Sequence, residues 1–126
     1  MKIQRFEDMK CWKKARELSQ KIYSATKRSD FSRDFRLVGQ TTGAVISIMN
    51  NIAEGFDSLS NRELVRFLTY ARRSCSEVQN CLYVAIDQRY LEEKDFDNMY
   101  ALCAEVRKII DGLIKYLKTC PGSPRP

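Results

Sequence analysis

The stretch LVGQTTGAVISIMNNIA, Leu37 to Ala53, constrains this chain more than any other. It has no charged residue, yet its apolar positions recur at helical spacing. A helix on the surface of a monomer normally carries a charged face. A membrane-spanning helix needs about 20 predominantly apolar residues. This stretch contains six Gln, Thr, Ser and Asn side chains and two glycines, which argues against a membrane span. The remaining solution is a helix buried on two sides, by its own bundle and by another subunit. Placed at about 100° per residue, Leu37, Thr41, Ala44, Ile48, Ile52 and Gly55 centre one face. Gln40, Ser47, Asn51 and Glu54 line a polar edge beside it. Ile46, Met49 and Ala53 fall opposite, where solvent was due, and are the expected oligomer interface.

Three more helical segments surround this one. The first runs from Glu7 or Asp8 to Lys27, with Trp12, Ala15, Leu18, Ile22 and Tyr23 on one stripe. RSDFSRDF, Arg28 to Phe35, reads as a polar turn. The second helix, which holds the uncharged stretch, runs from about Phe35 to Glu54, with Gly55 as a left-handed C-terminal cap. SNRE, Ser60 to Glu63, is a capping box opening a third helix that reaches about Gln88. A fourth spans Glu93 to Lys118, and Pro121 ends it. The chain has 126 residues, five glycines and three prolines, so one domain of long helices is expected. Short connections between long helices make neighbours antiparallel. The predicted fold is all-α, an up-down-up-down four-helix bundle over residues 1–120, with 121–126 as a disordered tail.

The chemistry of the side chains points away from catalysis. There is no histidine, which removes the commonest general base and zinc ligand. The five cysteines are odd in number, lack CxxC spacing and follow no signal peptide. They read as free thiols in a reducing cytoplasm. No motif for a cofactor, metal or small-molecule substrate is evident. The polar edge can instead register helices, with Gln40, Ser47, Asn51 and Glu54 meeting Ser74, Glu77 and the Arg72–Arg73 pair of the third helix. Glu54 is expected near Arg62 or Arg66. The competing reading makes Glu54 and Glu77 a carboxylate pair for acid–base work or metal binding.

Charge supplies a third reading. The net charge is +6, and residues 1–30 alone carry +5. Lys10, Lys14 and Lys21 share a stripe of the first helix, and Arg62, Arg66 and Arg73 share one of the third. Such stripes can contact the phosphates of RNA or DNA in a salt-sensitive way. Tyr and Phe fall mostly on core stripes, so base stacking is not expected.

Several of these residues also form a recognisable pattern. FEDMKCWKKARELSQKIY, the block SIMNNIAEGF after Gln40, and ELVRFLTYARRSCSEV resemble the 23S rRNA-intervening-sequence proteins, also labelled the S23 ribosomal protein family. The matching positions are Trp12, Ala15 and Leu18; Ser47, Ile48, Asn51, Ile52, Ala53, Glu54 and Gly55; and Arg66, Phe67, Leu68, Ala71, Ser74 and Glu77. The resemblance implies a non-catalytic four-helix bundle, a homopentamer in related proteins, and an association with RNA or the ribosome. A related bundle serves retroelement reverse transcriptases as an accessory factor and is thought to bind nucleic acid. One departure stands out. Family members carry a basic pair before the alanine of the second helix, where this chain has Thr42 and Gly43 before Ala44.

Overall fold

A computed structural model describes residues 3–119. The expected tail at 121–126, with Pro121, lies outside the described residues. The described chain is all-helical. A 3-10 turn, Phe6–Asp8, precedes α1 (Lys10–Thr26), α2 (Ser29–Arg33), α3 (Phe35–Asp57), α4 (Asn61–Asp87) and α5 (Glu93–Thr119). None of these helices is long and apolar enough to cross a membrane.

The four long helices pack as a bundle. α3 lies against α4, α4 against α5, and α1 against both α3 and α5, which leaves α1 and α4 across the core from each other. The core stripes explain the packing. Leu18 and Ile22 of α1, Ile48 and Ile52 of α3, Leu64, Leu68 and Leu82 of α4, and Ile110 of α5 are each at most 1% exposed. Burying one such side chain stabilises the fold by about 1.5–3 kcal/mol. Polar pairs mark the register between helices. Arg72 donates to Asp111 at 2.5 Å and Arg107 to Ser76 at 3.1 Å, joining α4 to α5. Lys14 meets Glu105 at 3.6 Å and Arg28 meets Asp95 at 2.7 Å, joining the first helix and its end to α5.

Three boundaries differ from the sequence reading. α1 begins at Lys10 because Met9 is extended, with φ −73° and ψ 129°, which separates it from the 3-10 turn. The polar segment after α1 contains α2, anchored by Phe31, which is buried and stacks on Tyr90 with ring centres 5.2 Å apart. Gly55 does not cap α3. The helix continues to Asp57 and closes on Ser58, whose hydroxyl donates to the Gly55 carbonyl at 2.6 Å. Gly55 serves close approach instead. A Cβ there would sit 2.8 Å from the Cβ of Phe67 and 3.0 Å from Cδ1 of Leu64, so only glycine lets α4 pass this near.

The start of α4 follows the capping signal, with the Ser60 hydroxyl accepting from the Glu63 amide at 3.1 Å. Its end is less regular. Arg89 has φ 63°, the Tyr90 amide donates to Ala85 and the Arg89 amide to Ile86. This is a Schellman stop with arginine where glycine is usual. Cys11, Cys75, Cys81 and Cys103 are buried free thiols, and Cys120 is outside the described residues.

Candidate interaction site on α3 and α4

The polar edge of α3 divides into a small buried network and an exposed remainder. Ser74 of α4 donates to the Ser47 hydroxyl at 2.9 Å. The Asn51 side-chain amide donates to the same hydroxyl at 3.1 Å and to the Ser47 carbonyl at 2.9 Å. These three residues meet where α3 and α4 pack, and each polar group that leaves water there gains a partner. Gln40, Glu54 and Glu77 are exposed and stand outside this network. Gln40 and Glu77 border one shallow depression with Gly39 and Gly43.

The two carboxylates do not share a pocket. Glu54 lies seven residues beyond Ser47 on α3, whereas Glu77 lies on the opposite side of the Ser47–Ser74 contact. At about 1.5 Å per residue they are roughly 15 Å apart along the axes. The expected pairing of Glu54 with an arginine is not formed either. Arg66 is held by Glu63 on its own helix, through bonds of 2.8 and 3.2 Å, which draws the Glu63 carboxyl below its usual range. An i, i+3 partner on the same helix is always within reach, and here it outcompetes one across a helix boundary.

The outer face of α3 has a different character. Gly39, Gly43, Ile46 and Asn50 are exposed in succession with no charge among them, and Phe35 at the helix start is 83% exposed. A Cβ at Gly39 or Gly43 would meet nothing within 4 Å, so both glycines leave a shallow trough. The three expected interface residues separate here. Ile46 is 39% exposed, whereas Met49 packs partly against the core and Ala53 is half-buried. Gly39 and Phe35 also belong to this face, and a count of apolar stripes does not reveal them.

The basic residues also separate. Lys14 is engaged with Glu105, and Lys21 borders a depression between α1 and α5 together with Arg28 and Asp95. Lys10 is exposed at the start of α1. Arg62, Arg66 and Arg73 lie exposed along α4, across the core from α1. The two stripes therefore do not form one surface. On α4 an aromatic residue intervenes. The Tyr70 ring, 38% exposed, has the Arg66 guanidinium 5.7 Å and the Arg73 guanidinium 6.0 Å from its centre. Phe67 lies edge-on to Tyr70 and beneath Arg66. This corrects the expectation that aromatics stay in the core. Tyr70 sits one turn from Arg66 and Arg73, a spacing visible in the sequence.

The family model for 23S rRNA-intervening sequence proteins matches residues 7–112. The chain belongs to that family. A crystal structure of a protein of unknown function from the S23 ribosomal protein family of Bacteroides thetaiotaomicron is similar, with a TM-score of 0.77 at 20% identity. The likeness covers 83% of this chain and 95% of that one, and it concerns the fold. No curated protein matches. Within the family frame, the Ser47–Asn51–Ser74 network and the close approach at Gly55 belong to the matched region, as does the outer face of α3 with its Gly43.

Proposed function

We propose that the chain is a non-catalytic, cytoplasmic scaffold protein, a homo-oligomer whose subunits contact one another through the outer face of α3. One observation carries this reading. Residues 37–53 contribute no charge to the exposed surface of α3, where Ile46 and the trough at Gly39 and Gly43 lie, with Arg36 and Glu77 only at the trough's border. A water-facing helix of that kind exposes backbone and apolar surface that a second copy would cover. The glycines let a partner helix come close. A pentamer is the stoichiometry that the family resemblance implies.

Within each subunit the four long helices are proposed to run antiparallel, up-down-up-down. Paired residue numbers support this. As the number rises on α3 it falls on α4, from Ser47 with Ser74 to Gly55 with Leu64. The same inverse order relates α4 to α5 through Arg72–Asp111 and Ser76–Arg107. Light scattering tests the oligomer at micromolar concentration.

The second reading is direct RNA or DNA binding, as in a retroelement accessory factor. It is favoured by Arg66 and Arg73 flanking the exposed Tyr70, a charged platform with a ring on which a base can stack. Titration of labelled single-stranded RNA at several salt concentrations decides it. With three arginines neutralising phosphates, log K should fall by about 2 per tenfold rise in salt. Absence of binding, or binding indifferent to salt and to Tyr70→Ala, removes this reading.

A further inference from the structure

The two ends of the helix packing are closed differently. Where α1 meets α2 and α4 meets α5, Phe31 fills the core and Tyr90 covers it, its hydroxyl donating to Asp34 at 3.0 Å. At the opposite end the segment before α1 packs on the helices, with Met9 buried and Ile3 against the core. That end holds a cavity of about 320 Å³ lined by Cys11 of α1, Phe56 of α3, Leu64 of α4, and Ile109 and Leu113 of α5.

We propose that this cavity binds a free, compact amphiphile, with its apolar body among these side chains and one anionic group at Lys10. Size sets the body. A 150 Å³ cavity lined by Leu, Ile and Phe admits benzene, and about twice that volume admits a two-ring arene or a medium-length alkyl chain. The volume also falls at the lower end of the range for ligand pockets, about 300–1,000 Å³. Charge sets the head group. Among the described residues lining the cavity, Lys10 alone is charged. Its ammonium makes no ion pair with a described residue and is exposed at the mouth. Among the described residues no carboxylate lines the cavity to repel an anion. Burial pushes the Cys11 thiol up to about 12, so the interior carries no thiolate at neutral pH. Tyr116, also lining the cavity, carries a hydroxyl able to donate a hydrogen bond. The site lies away from the outer face of α3, so it stands or falls separately from the proposed assembly.

The test uses the full chain and 1-anilinonaphthalene-8-sulfonate as an anionic two-ring probe, with N-phenyl-1-naphthylamine as its neutral counterpart. Both should bind with saturable, blue-shifted emission, and decanoate should displace them. Lys10→Glu alters an exposed side chain and leaves the core intact. It should weaken the anionic probe about tenfold or more while the neutral probe is unaffected. Leu113→Trp, which fills the cavity, should weaken both probes; circular dichroism verifies that each variant melts as the parent does. The proposal is overturned if neither probe binds the parent chain. Equal binding of the anionic probe by Lys10→Glu overturns it as well. So does displacement by phosphatidylglycerol vesicles where monomeric decanoate has no effect.

Discussion

Gly55 and Gly43 are both helical glycines of α3, and their surroundings assign them opposite behaviour. At Gly55 a methyl group would press on the Cβ of Phe67, a backbone-anchored atom that cannot turn aside. Gly55→Ala should therefore destabilise the fold by about 1–3 kcal/mol despite better helix propensity. At Gly43 nothing lies within 4 Å, so Gly43→Ala should stabilise an isolated subunit by roughly 0.5–1 kcal/mol. Urea unfolding in an Ile46→Glu background, which removes the proposed subunit contact, separates the two, and equal effects would contradict the assigned roles. The thiols give a second prediction at this scale. Burial raises Cys11 from 9.0 to about 12, and Cys103 is raised by the side-chain hydrogen bond it shares with Cys75 and then by burial. Above about pH 9 the unfolded chain releases thiol protons that the folded chain keeps. Stability is thus full below about pH 9 and, through Cys11, falls from about pH 9 to 12 by roughly 1 kcal/mol per pH unit, with Cys103 acting in the same direction. Thermal melts should show that decline, and it should be shallower in Cys11→Val. A melting temperature unchanged across this range would refute it.

At the scale of elements, what could be read in the sequence was what depends on local repetition. The stripes of α3, α4 and α5 recur every three or four residues over many turns, and the cap at Ser60 is a local hydrogen bond. Features set by packing were not legible. Gly55 looks like a helix stop until Phe67 is known to press against it. Helix α2 is five residues long and holds its place through one buried ring, Phe31, too short a run for any period to appear. Of the candidate polar residues, Ser47 and Asn51 of α3 and Ser74 of α4 come together because they face one another across the seam between the two helices. Gln40, Glu54 and Glu77 share the edge but lie beyond the packed seam. The stop after α4 adds a prediction. Arg89 adopts φ 63°, which costs a residue with a Cβ about 1–2 kcal/mol, partly offset in glycine by entropy. Arg89→Gly should stabilise the chain by about 0.5–1 kcal/mol in urea unfolding, and a loss of stability would count against the Schellman geometry.

For the whole molecule, the question is how a helix with no charge from residue 37 to residue 53 stays in water. The chain answers it on one side, where Leu37, Thr41, Ala44, Ile48 and Ile52 enter the core. The other side carries Phe35, Gly39, Gly43 and Ile46 and is covered, in this account, by another subunit. Gly43 belongs to this face and brings no charge to it. The measurement that bears most directly on this claim is the mass of the purified chain by light scattering at micromolar concentration. The account predicts a multiple of the 14.7 kDa chain mass, which Ile46→Glu shifts toward a single chain without unfolding it. A parent protein that scatters as one 14.7 kDa chain would contradict it.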